Sequence, residues 1–181
     1  MISENLAKAL NNQINAEFYS AYLYLAMSAH AEGAGLKGAA NWLYVQAQEE
    51  TAHAIHMYQH ILDRGAAPVL TPIEAPDTKF SGLNDIFEKT LAHESSVTSR
   101  INNIATLAMN ENDHACYQFI MWYVNEQVEE EANVTDLLAK MKFIGDDKGQ
   151  LLNLDRELAT RVFNNPFPTD AKLGGAAAAI A

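Results

Sequence analysis

Gln48-Glu49-Glu50-Thr51-Ala52-His53 breaks a pattern that is otherwise self-explanatory. At the helical period, residues 43 to 61 place Leu43, Ala47, Ala54, Met57 and Ile61 on one face, a stripe suited to a core. Glu50 and His53 fall inside that stripe, one turn apart. A carboxylate and an imidazole on a buried face cost several kcal/mol unless something compensates, and a cation between them is the least costly compensation. A Glu followed three residues later by a His is frequent by chance, so the pair taken alone reads more readily as solvated or hydrogen-bonded.

The rest of the chain supplies the context. Residues 3 to about 31 contain no Gly or Pro, open with Ser3 as an N-cap, and set Leu6, Leu10, Ile14, Glu17, Ala21, Tyr24 and Ser28 along one face. Gly33 and Gly35 stop this first helix, and a second runs from about Lys37 to Arg64, ended by Gly65. The turn is short, so the two lie antiparallel. From Gly65 to Gly82 the chain carries Pro68, Pro72 and Pro76 without a usable period, the length of a crossover. Helical pattern returns from Leu83 to Met109, with Leu83, Phe87, Leu91, Glu94, Val97, Ile101, Ala105 and Ala108 near one face.

Asn110-Glu111-Asn112-Asp113 interrupts that run, and Asn112 or Asp113 caps a fourth helix reaching about Phe143. Its inward positions are Cys116, Ile120, Tyr123, Gln127, Glu130, Val134, Leu138 and Met141, and Gly145 closes it. A shorter fifth helix is expected over Lys148 to Phe163, carrying Leu151, Leu154, Leu158 and Val162. The chain is thus all-α: four long helices in two antiparallel pairs around a long crossover, then a short C-terminal helix. Residues 1–163 form one domain, and 164–181, ending in a Gly- and Ala-rich run, form a flexible C-terminal tail.

If the two pairs are copies, polar interruptions recur at a fixed offset. An offset of 77 residues takes Glu17 to Glu94, Glu50 to Gln127, His53 to Glu130 and Glu49 to Glu126. Single glutamates on solvated faces are ordinary in an acidic protein. A set of them inside apolar stripes, in register across two half-chains, points to metal. Carboxylates converging in a dry core repel one another and resist ionisation, and two divalent cations supply the matching charge.

Composition narrows the partners. A net charge of -11 and a pI near 4.8 argue against nucleic acid or an anionic membrane and favour cations. The single cysteine, Cys116, excludes an intramolecular disulfide and a CxxC knuckle. With neither a secretion signal nor a membrane span in the sequence, a soluble cytoplasmic protein is expected.

One Glu from each of two helices and Glu-x-x-His from the others is the ligand pattern of ferritin-like di-iron bundles. From about residue 3 to 163 this chain resembles that family, with Gln127 and Glu130 where the symmetric form has its second Glu-x-x-His; in this it is similar to the non-haem ferritins of bacteria. The resemblance implies an up-down-down-up bundle and two irons, one on Glu17, Glu50 and His53, the other on Glu50, Glu94 and Glu130, with Gln127 beside them. It places Tyr24 next to the centre, and a third iron on Glu49, Glu126 and Glu129, sharing Glu130, on the cavity side. Ferroxidase activity with O₂ or peroxide, ferric mineral storage and a homo-oligomeric cage of 24 subunits are implied with it.

An amide is a poorer iron ligand than imidazole, so the second iron is expected to be held loosely enough to leave. Thr51 stands where bacterioferritins carry their haem-binding Met, so no haem is expected. Tyr117 and Ile120 replace the acidic lining of the animal ferritin three-fold channel. Gly33, His56, His60, Trp122 and Cys116 read as structural. Two other functions share these features: a di-iron peroxidase or oxygenase acting on a small substrate, and a non-catalytic cage subunit that only nucleates mineral.

Overall fold

A computed structural model of the chain describes residues 1–167. Five helices follow in order: α1 (Glu4–Gly33), α2 (Lys37–Asp63), α3 (Leu83–Asn110), α4 (His114–Ile144) and α5 (Lys148–Leu158). The expected caps are in place. Ser3 Oγ accepts from Leu6 N at 3.1 Å at the start of α1, and Asp113 Oδ1 accepts from Cys116 N at 2.9 Å at the start of α4. Asp113 also takes both arms of Arg64, at 3.0 and 2.7 Å, which ties the end of α2 to the start of α4. Asn112, at φ 57°, makes the sharp turn before it.

The core divides into two apolar clusters, and the helix directions follow from them. One holds Tyr24, Met27, Leu43, Phe87, Val134 and Leu137. The other holds Leu10, Ile14, Met57, Ile61, Ile101 and Ile120. Along the chain, α1 and α4 pass from the second cluster to the first, while α2 and α3 pass from the first to the second. The bundle therefore runs up, down, down, up. Each helix changes cluster at its inward polar residues: Glu17, Glu50 with His53, Glu94, and Gln127 with Glu130. A polar layer thus lies at mid-bundle between two apolar ones.

The crossover of residues 65–82 brings the chain back along the bundle. It is laid on α1, where Asn11 Oδ1 accepts from Val69 N at 2.8 Å and Asn15 Nδ2 donates to the carbonyls of Thr71 and Pro72 at 3.2 and 3.0 Å. No helix is long and apolar enough to cross a membrane among the described residues.

Two details depart from the expected periodicity. Leu137 rather than Leu138 is the buried residue of that turn, three positions after Val134, and Leu138 packs at the margin. The fifth helix ends at Leu158, five residues short of the expected Phe163. Thr160 turns its hydroxyl onto Glu157 O at 2.7 Å, and Asn41 Nδ2 takes the carbonyl of Arg161 at 2.9 Å. Those side-chain contacts stop the helix, and Val162, expected on its apolar face, is exposed.

Gly38 explains how α5 sits against α2. A Cβ there would lie 1.6 Å from the carbonyl oxygen of Asp155, so only glycine allows this approach. Ala39 N donates to Asp155 Oδ1 at 2.8 Å beside it, and Leu154 and Leu158 complete the buried contact. Of the segment expected to be a tail, Phe167 packs on His56 with ring centroids 3.8 Å apart and on Trp122 at 4.6 Å. Residues 168–181 lie outside the described residues.

Candidate metal centre

Glu17, Glu50, His53, Glu94, Gln127 and Glu130 are all buried, none more than 5% exposed. They come from four helices, and each is inward because its helix presents an apolar stripe on either side of it. Glu17, Glu50 and His53 close most tightly, with one ligand atom from each lying within 4.8 Å of the others. Among the described residues this is the one such group. His53 Nδ1 faces Glu50 Oε2 at 3.3 Å. Two ligands about 2.1 Å from one ion and at right angles lie about 3 Å apart, so the pair is spaced as ligands of one cation would be.

The other acidic residues of the layer are engaged by neighbours. Tyr24, fully buried, donates its hydroxyl to Glu94 Oε1. Gln127 Nε2 donates to Glu94 Oε2 at 3.1 Å. Gln46 Nε2 donates to Glu130 Oε2 at 3.0 Å, and Gln13 Nε2 to Glu17 Oε1 at 2.8 Å. Glu94 and Glu130 stand outside the tight group of three.

The electrostatics of the layer are those of a site short of positive charge. Burial first, and the neighbouring Glu50 second, push the Glu17 carboxyl well above its ordinary range. Glu50 rises for the same first reason, with Glu94 adding to it, and Glu130 is pushed up to about 8 by burial and by Glu94. Burial and the same carboxylates hold the Tyr24 phenol well above its usual value. Glu17 Oε2 and Gln46 Oε1 are acceptors buried without a donor, and His53 Nε2 is buried without a partner. Such atoms are costly to bury, and a cation satisfies acceptors that no protein donor reaches. The donor set of carboxylates and imidazole suits iron.

Around His53 the site is dry. Its ring meets Trp122, Tyr123 and Phe167 edge-on, at centroid distances of 5.5, 5.6 and 6.0 Å. Tyr123 OH donates to the backbone carbonyl of His53 at 3.3 Å.

A family model described as the ferritin-like domain matches residues 7–144. The chain belongs to the ferritin-like family. It is 40% identical over 164 residues to a bacterial non-heme ferritin of Staphylococcus epidermidis, covering 91% of this chain and 99% of that one. It is 39% identical over 158 residues to a probable bacterial non-heme ferritin-like protein of Haemophilus influenzae, covering 87% of this chain and 96% of that one. Among solved structures, the open-pore ferritin of the archaeon Archaeoglobus fulgidus superimposes with a TM-score of 0.88 at 47% identity, over 89% of this chain and 98% of that one. A form of the same protein engineered to be closed gives a TM-score of 0.89 at 46% identity, over 91% of this chain and all of the other.

Within this ferritin-like bundle, the residues expected for a third iron are less gathered. Glu49, Glu126 and Glu129 do not reach the spacing of the Glu17, Glu50 and His53 group. Glu49 and Glu126 are half-buried, and Glu129 is exposed. Glu49 is instead paired with Arg161 at 2.5 Å. Burial raises the Glu49 carboxyl, and Arg161 opposes the rise.

Sequence reasoning passes over Gln13, Gln46, His93, Arg161 and Phe167. The two glutamines carry a usable signal: each lies four residues before a buried glutamate, Glu17 or Glu50, on the same inward face. His93, whose Nε2 lies 2.7 Å from Ser20 Oγ, precedes Glu94 with no periodic cue of its own. From beyond α5, Phe167 meets His53 and Arg161 meets Glu49, and nothing local marks either.

Proposed function

We propose that this protein stores iron and oxidises it: a ferroxidase centre within each chain converts Fe(II) to Fe(III), and the ferric product is deposited as mineral inside a cage of 24 copies. The observation that carries this reading is the Glu17, Glu50 and His53 group, three buried ligand residues within 4.8 Å of one another in a layer of further buried carboxylates. Relatives named as bacterial non-heme ferritins and the archaeal ferritin structures support the storage role and the cage.

In this reading one Fe(II) is held by Glu17, Glu50 and His53, and a second by Glu50, Glu94 and Glu130. Glu50 bridges. Each iron gives up one electron, so two Fe(II), one O₂ and two protons yield two Fe(III) and one hydrogen peroxide; peroxide in place of O₂ takes two electrons and two protons to give two waters. Gln13 and Gln46 orient Glu17 and Glu130 so that the oxygens face the ions, and Tyr24 and Gln127 do the same for Glu94. The rings of Trp122, Tyr123 and Phe167 keep bulk water from His53. Gln127, where a charged ligand would bind harder, leaves the second iron able to depart after oxidation. Residues 1–163 act as one ferritin-like domain of a cytoplasmic protein, followed by a C-terminal tail.

Anaerobic loading with Fe(II), admission of O₂ and repetition of the cycle test the proposal. Continued turnover, with iron co-eluting with a cage-sized species on size exclusion, is the expected result. A centre that oxidises its first two irons and then stays loaded contradicts storage.

A further inference from the structure

Arg161 has no part in the ligand set, yet three contacts hold it against α2 beside that set. Its backbone carbonyl accepts from Asn41 Nδ2 at 2.9 Å, its guanidinium lies 4.5 Å over the ring of Trp42, and its Nη2 meets Glu49 Oε2 at 2.5 Å. Asn41, Trp42 and Glu49 are all on α2, with Trp42 and Glu49 two turns apart on one face. The side chains of Arg161 and Glu49 are only 21% and 18% exposed, so the pair is not a loose surface contact.

Glu49 immediately precedes Glu50 of the metal centre, and it lies near enough to Glu126 and Glu129 for their charges to act on it, as Arg161 acts on both Glu49 and Glu126. We propose that Arg161 is a resident cation beside these carboxylates, so that Glu49, Glu126 and Glu129 take a third divalent ion only by displacing its guanidinium. The inference rests on the metal-centre reading above. A metal ion and a guanidinium compete for the same Glu49 oxygen and repel each other across a poorly solvated gap. Arg161 thereby sets how readily iron lingers beside the centre.

Zn(II) titrated calorimetrically into the assembled full-length protein tests this. The wild type should take up two Zn(II) per chain tightly and a third weakly. In Arg161→Ala the third Zn(II) should bind at least about tenfold tighter, with the first two unchanged, and Arg161→Lys, which keeps the charge but not the planar fork, should fall between. Adding Glu49→Gln to Arg161→Ala should erase the gain. An Arg161→Ala isotherm that superimposes on the wild type, or a gain that survives Glu49→Gln, overturns the proposal while leaving the metal centre standing. A wild-type protein with no Zn(II) that His53→Ala removes overturns the metal-centre reading, and this inference with it.

Discussion

Gln46 reaches from α2 across the polar layer to donate to Glu130 on α4 at 3.0 Å, from a position one turn before Glu50. One buried amide thus fixes a carboxylate of the opposite helix pair, while its own Oε1 is left without a donor. Gln46→Met keeps the volume and removes the donor. Metal affinity should fall about 10- to 100-fold, the usual cost of losing a partner that orients a ligand. Calorimetric titration with Zn(II) measures it, and an unchanged isotherm would show that Glu130 needs no such support.

His53 supplies the one imidazole of the buried group. With His53→Ala, Fe(II) oxidation should slow by at least about 100-fold, beyond the roughly 10- to 100-fold cost of losing a residue that only orients a ligand. Stopped-flow absorbance follows the ferric product. A rate indifferent to His53 would favour a cage subunit that nucleates mineral without catalysing oxidation.

The metal-free protein should lose stability as pH rises. Glu17, Glu50 and Glu130 all have folded-state pKa values raised above the unfolded ones, chiefly by burial. Between the ordinary carboxyl value of 4.5 and, for Glu130, about 8, the folded chain therefore binds more protons than the unfolded chain. The slope of unfolding free energy against pH is negative across that window. Denaturant titrations of the metal-free protein from pH 5 to about 8 should show the midpoint falling. Bound Zn(II), which favours the ionised carboxylates, should flatten or reverse the trend. A midpoint independent of pH without metal would mean the three carboxyls are not buried together.

Gly38→Ala places a methyl group against the Asp155 carbonyl and should push α5 off α2. Overpacking of this kind costs about 1–3 kcal/mol. Because α5 delivers Arg161 to Glu49, the variant should also mimic Arg161→Ala in Zn(II) titration. Thermal melting and the same calorimetry read both effects; an unaltered melt would show that α5 can shift at no cost.

Much of the candidate site is legible in the order of the amino acids. Glu17, Glu50, His53, Glu94, Gln127 and Glu130 stand out because each is polar within an apolar stripe, and a helix face is a property of local spacing alone. The 77-residue offset then pairs them. Ser3 and Asp113 are legible as caps because a cap is satisfied within its own turn. The end of α5 is not. Leu158 to Phe163 keeps a helical pattern, but Asn41 and Thr160 take the backbone carbonyls there, and Asn41 lies more than a hundred residues away in sequence.

The amino-acid sequence by itself determined which side of each helix is buried and where a charged layer interrupts the core, because both follow from spacing along one rod. Only the tertiary structure decided what each buried polar group meets: Gln46 with Glu130, Tyr24 with Glu94, and Arg161 with Glu49. The reason is physical. Periodicity specifies a direction from the helix axis, whereas a partner depends on how two rods are rotated and offset against each other, and that is set by the packing of the whole bundle.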